Sequence, residues 1–323
     1  MTRSLDDQLV KYLTDAHSIE EQALQQLRKA PDIAGDAELA RVFREHSSET
    51  EHQKRRVRER LDAHGAKPSR IEDIVMRAGG EAFLLFARFN PDTPGKLTAH
   101  AYSYEHLELA AYELLGAVAE RAADEDTVTV ARAIRDEEAA MADRLARCFD
   151  RAVDASLREV GREDLGEQLV KYLVDAHALE SQAIQLLGRG PKIAGDDLLA
   201  RAYEAHLAET REHQRLVAER LEALGAGPSR IQDAAMRLGA LNWGAFFQAQ
   251  RDTPGKLAAF AFAFEHLEIA GYEQLRRVAE RAGDQATVEA ARQILTQERA
   301  AAQKLAALFE RAVDASLEAV GVT

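Results

Sequence analysis

Two glutamates stand three residues apart in the run Tyr104-Glu105-His106-Leu107-Glu108, and the run returns as Phe264-Glu265-His266-Leu267-Glu268. Tyr112 and Tyr272 follow four residues after the second glutamate of each pair. At helical spacing Ala101, Glu105, Glu108, Tyr112, Leu115 and Ala119 share one face, so two carboxylates interrupt an otherwise apolar stripe. An ionised carboxylate in such a place costs several kcal/mol unless it is neutralised, paired or bound to a cation.

Other segments break their stripes in the same way. Val10, Leu13, His17, Glu20, Leu24 and Leu27 align in one; Leu39, Val42, His46, Glu49 and Gln53 in a second; Ile134, Glu138, Met141 and Leu145 in a third. Stacked as antiparallel neighbours, these segments can bring Glu20, Glu49, Glu105, Glu108 and Glu138 into one layer with His17 and His46. The second half of the chain keeps the whole set as His177, Glu180, His206, Glu209, Glu265, Glu268 and Glu298. Acids of the solvent type are not kept: Glu45 becomes Ala205, Glu51 becomes Arg211, Glu137 becomes Gln297 and Asp143 becomes Gln303.

Carboxylates converging without a basic partner repel one another and shift each other's pKa values. Two divalent cations resolve the conflict, and a carboxylate-rich site with one or two imidazoles suits iron or manganese. The plainer alternative leaves these residues half-exposed or paired with arginines such as Arg41, Arg55 or Arg132.

The elements that must position these residues are legible from the breakers. Residues 5–158 align without gaps to 165–318 at a constant offset of 160, with roughly half the positions identical. Repeats of this length are whole domains, expected at 1–160 and 161–323, with a hinge at Glu159 to Asp164. In the first copy a helix from about Leu5 to Arg28 stops near Pro31, and a second follows Asp36, a plausible N-cap, to near Gly65. A short greasy helix follows Pro68-Ser69, a long one opens at Thr93-Pro94, and a last runs from Asp124–Asp126 to about Leu157. The expectation is an all-α chain of two tandem four-helix bundles, each with a short accessory helix.

Composition narrows the partners. A net charge of −13 disfavours nucleic acid and anionic membrane, and no window approaches the ~18 apolar residues of a membrane span. A single cysteine, Cys148, excludes an intramolecular disulfide framework and any cysteine-based metal cluster. The N-terminus runs into an amphipathic helix without the apolar core of a signal peptide, so a reducing cytoplasm is the expected compartment.

The run Asp15 to Gln22, then His46 to Thr50, then Glu105-His106-Leu107-Glu108 with Ala110 and Tyr112, and finally Asp136-Glu137-Glu138, resembles the YciE/YciF-like family. These are ferritin-like bacterial stress proteins of largely uncharacterised function. The resemblance covers nearly all of each repeat, and its most specific piece is the EHxE segment with its tyrosine. It implies a ferritin-like bundle, a di-metal centre and pairing of two such domains, here an intramolecular pseudo-dimer. By position it makes Glu20, Glu49, Glu105, Glu108 and Glu138 the acidic ligands. Two features depart from it: Ala142 and Ala302 stand where an acid is usual, and clean Glu-x-x-His pairs are missing. Glu49 to His52 has that spacing, but Glu212 occupies the His52 position and His213 matches Gln53. His17 and His46 are therefore the favoured imidazoles.

His106 and His266 turn about 100° away from their glutamates, which favours a supporting or surface role. Tyr112 and Tyr272 either hydrogen-bond a ligand carboxylate or fill the core. The aromatic runs Phe83–Phe89 and Trp243–Phe247 suit covering the bundle or joining the repeats, Asp92–Lys96 reads as a helix start, and Cys148 as buried filler. The functional expectation is a di-iron or manganese protein that oxidises iron or reduces dioxygen or peroxide under stress. The alternative is a non-catalytic helical stress or interaction protein with weak or no metal binding.

Overall fold

Asp36 accepts hydrogen bonds from the backbone N–H groups of Glu38 and Leu39 at 3.0 and 2.9 Å, and the helix expected behind it begins there. Such a cap is worth about 1 kcal/mol. A computed structural model describes residues 4–67, 93–226 and 253–322 of the chain. In the first repeat it contains α1 (Leu5–Leu27), the single turn α2 (Ala30–Ile33), α3 (Ala37–Ala63), α4 (Thr93–Arg121), α5 (Glu125–Arg147) and α6 (Phe149–Ser156). A 3-10 turn at Arg162–Asp164 leads into α7 (Leu165–Leu187), α8 (Gly190–Ile193), α9 (Asp197–Ala223), α10 (Thr253–Ala282), α11 (Gln285–Ala306) and α12 (Phe309–Ala319). No strand occurs among the described residues. Two compact units divide the chain: Met1–Arg158 with Gly321–Thr323, and Glu159–Val320.

Within the first unit α1 packs on α3 and α4, and α5 packs on α3 and α4, so the four long helices close a ring. Short connections make α1/α3 and α4/α5 antiparallel neighbours, while α3 and α4, consecutive among the long helices, stand diagonally across the ring, the arrangement of a ferritin-like bundle. The second unit repeats the arrangement with α7, α9, α10 and α11. Leu9, Leu13, Leu24, Leu39, Phe43, Leu61, Leu115, Ile134 and Met141 are fully buried, the apolar stripes the sequence lays out.

The helix expected to run from Asp124 to Leu157 is two helices. At Cys148 the backbone N–H turns to the carbonyl of Leu145, three residues back, and the chain bends. The bend lets α6 pack on α4, where Ser156 Oγ accepts a hydrogen bond from the Gly95 N–H at 2.9 Å. Cys148 is buried at this joint. Gly35 has φ +67°, and a Cβ there would meet Pro94 Cγ at 2.8 Å, so glycine is needed where α3 begins against α4. Arg60 on α3 reaches Asp124, the N-cap of α5, at 2.9 and 3.1 Å, and Arg220 holds Asp284 likewise. The accessory helix and both aromatic runs lie outside the described residues.

Candidate metal centre

Each long helix delivers its polar interruption to the middle of the bundle. α1 contributes Glu20, α3 contributes His46, α4 contributes Glu105 and Glu108, and α5 contributes Glu138. Glu20, Glu108, Glu138 and His46 have no exposed surface, and Glu105 is 3% exposed. Ligand atoms of His46, Glu105, Glu108 and Glu138 lie within 4.8 Å of one another. His46 Nε2 is 3.0 Å from Glu105 Oε2 and 3.4 Å from Glu138 Oε2. Despite this closeness, both oxygens of Glu108 and of Glu138, one oxygen each of Glu20 and Glu105, and His46 Nε2 take part in no well-formed hydrogen bond. Buried polar atoms are almost always satisfied, so this density of orphaned donor atoms marks a site for a ligand.

The alternative of arginine pairing fails for these four acids. Arg41 holds Glu38 and Glu45, and Arg132 holds Glu120, all on exposed surface. Among the described residues no arginine or lysine forms an ion pair with Glu20, Glu105, Glu108 or Glu138. Burial raises the Glu20 carboxyl to about 8, against the lowering effect of Tyr112 and His46. Burial likewise pushes Glu108 and Glu138 well above the ordinary carboxylate range, and neighbouring carboxylates add to it. Burial opposes charge on His46, but Glu105, Glu138 and Glu49 outweigh it and hold the imidazole well above its usual pKa.

Glu49 takes a different place from the other acids. It is half-buried, accepts from Arg144 through both oxygens, and its Oε2 lies 2.9 Å from His46 Nδ1. It therefore stands behind the imidazole and orients it, as carboxylates do for metal-ligating histidines. His46 and Arg144 hold its pKa down to about 2 against partial burial. His17 is buried but is not among the grouped ligand atoms. Tyr112 donates to Glu20 Oε1, which decides between the two roles open to it. The His106 ring lies with Nδ1 2.7 Å from the Tyr102 carbonyl, so it is a buried group turned to its own helix.

The second bundle groups His206, Glu265, Glu268 and Glu298 within the same 4.8 Å, all buried. Tyr272 donates to Glu180, and Glu209 stands behind His206 at 3.1 Å. His177 is again outside the grouped atoms. Here a further group appears, Glu180, His213 and Glu298. His213 Nδ1 is 2.7 Å from Glu298 Oε1 and 3.8 Å from Glu180 Oε1. Helical spacing could have shown it, because His213 lies seven residues from His206 on one face of α9. Burial would raise Glu298, but its two nearby imidazoles outweigh it and hold the carboxyl low; burial lifts Glu265 to about 8 and Glu268 well above the usual range.

Oxygen donors in majority with one or two imidazoles, buried and with several atoms outside any well-formed hydrogen bond, are a donor set that suits a divalent metal ion such as iron or manganese in each bundle. A family model described as Domain of unknown function (DUF892) matches residues 4–158 and, separately, 164–318. No solved structure matches the chain.

Proposed function

We propose a function from this premise: the chain belongs, in both halves, to the DUF892 family, the YciF-type ferritin-like proteins. Each bundle holds a carboxylate-rich centre of iron or manganese that oxidises iron or reduces dioxygen or peroxide. The single observation behind this is the buried cluster of His46, Glu105, Glu108 and Glu138, repeated by His206, Glu265, Glu268 and Glu298, in which several donor atoms take part in no well-formed hydrogen bond. When bound, reduced metal ions would supply the electrons for that chemistry.

The residues of the chain supply the rest. Without a cation, protons on His46 and on the raised carboxylates neutralise the cluster, so metal binding displaces protons. Glu49, clamped by Arg144, keeps the Nδ1 side of His46 occupied and leaves Nε2 aimed at the acids. Tyr112 holds one oxygen of Glu20 and leaves the other facing the cluster. Met141, Ala142 and Leu115, three, four and seven residues along their helices from Glu138 and Glu108, are buried with them, and an interior poor in water strengthens electrostatic contacts. We place this chemistry in a reducing cytoplasm, as the lone cysteine suggests, and under stress, as the family resemblance implies.

The test is elemental analysis of protein purified without chelator, with absorption spectra before and after peroxide. About two or more ions per chain and a spectral change on peroxide addition are expected; under about one ion per chain overturns the proposal.

A further inference from the structure

The two clusters are not copies of one another. At the same buried position α3 carries Gln53 and α9 carries His213, each with no exposed surface. Gln53 Nε2 donates to Glu137 Oε2 at 3.1 Å, an oxygen also held by Arg56, and this leaves Gln53 Oε1 buried without a hydrogen-bond partner. His213 Nε2 lies 2.7 Å from Gln297 Oε1, an acceptor, so Nε2 carries a hydrogen and it is Nδ1 that, on giving up its proton to a metal ion, presents a lone pair among the acids. The outer partner fixes the tautomer that a metal ligand needs.

This one difference changes the number of ion positions. In the second bundle Glu298 spans two imidazoles, with Oε2 3.4 Å from His206 Nε2 and Oε1 2.7 Å from His213 Nδ1. Two overlapping donor sets share it: His206, Glu265, Glu268 and Glu298, and then Glu180, His213 and Glu298. The first bundle has the former set alone, as His46, Glu105, Glu108 and Glu138. Opposite His46 it offers Glu20 and the neutral amide oxygen of Gln53. An amide oxygen is a weaker donor than imidazole toward first-row divalent ions.

Resting on the metal reading above, we propose that the two centres are inequivalent. The second bundle binds a pair of divalent ions. The first binds one ion tightly, and its second position is weaker by about a hundredfold or more, at least the effect of disturbing a metal site's supporting shell. The chain is thus a fusion of a two-ion and a one-ion bundle, in which dinuclear chemistry belongs to the second repeat.

Equilibrium dialysis of chelator-stripped full-length protein against low-micromolar Mn(II), followed by electron paramagnetic resonance, tests this. About three tight ions per chain are expected, giving both the spectrum of an exchange-coupled pair and that of an isolated ion. Gln53→His raises the count to about four; His213→Gln lowers it to about two and removes the coupled-pair spectrum. Under about one ion in the parent overturns the metal reading itself. About two or about four ions of equal affinity in the parent leave that reading standing and overturn the inequivalence. If Gln53→His does not fold, His213→Gln decides: retention of the coupled pair refutes the proposal.

Discussion

Glu108→Met separates what the cluster does for the fold from what it does for a cation. Glu108 has no exposed surface, neither oxygen has a hydrogen-bond partner, and burial with three neighbouring carboxylates pushes its pKa well above normal. Each unpartnered buried polar atom costs about 1–3 kcal/mol. Methionine is of similar length, adaptable in the core, and brings a misfit of about 1.5 kcal/mol or less. The metal-free variant should therefore gain about 0.5–6 kcal/mol, which raises the first bundle's melting temperature by roughly 2–4 °C for each kcal/mol. Saturating Mn(II) should narrow or reverse the gap. The parent gains about 2.7 kcal/mol at a hundredfold excess over Kd, and the variant gains little. Differential scanning calorimetry in EDTA and then in Mn(II) measures both. A variant that melts below the parent in EDTA refutes the reasoning, because Glu108 would then carry structural bonds of its own.

Three further outcomes are expected. The metal-free protein should lose stability as pH rises from about 4.5 to 8, since Glu20 and Glu265 keep protons up to about 8 in the folded state and release them earlier when unfolded. The slope approaches about 1.4 kcal/mol per pH unit for each differential proton, and urea midpoints across that range that stay level or climb would contradict it. Glu49→Gln should weaken Mn(II) binding in the first bundle by about 10–100-fold with helix content unchanged, because it loosens the imidazole rather than removing a ligand; dialysis and circular dichroism read the two. Ala123→Gly should stabilise the first bundle by about 0.5–1 kcal/mol, because Ala123 has φ 55° where the other copy has Gly283 at φ 74°, and chemical denaturation measures it.

Helical periodicity carried the reading as far as periodicity can. It placed Glu20, Glu105, Glu108 and Glu138 on inward faces, and the break residues Pro31, Gly35 and Asp36 set the long helices to within a few residues. What it does not fix is height along a helix. His17 shares a stripe with Glu20 but sits three residues, about 4.5 Å, up the axis, outside the layer of grouped atoms. Glu49 shares a stripe with His46, yet its short reach and Arg144 turn it to the outer ring nitrogen. His213 escaped because its partner in the first copy is glutamine, so comparison of the two halves discounted the very position where they differ chemically. The break at Cys148 carries no proline or glycine; packing of α6 on α4 makes it, and no local signal encodes that.

Anomalous diffraction at the manganese edge, from crystals grown in Mn(II) without chelator, addresses the buried clusters directly. Peaks are expected among His46, Glu105, Glu108 and Glu138 in one bundle and among His206, Glu265, Glu268 and Glu298 in the other. Clusters without peaks, or peaks confined to surface carboxylates such as Glu45 and Glu51, would contradict a metal centre in these bundles.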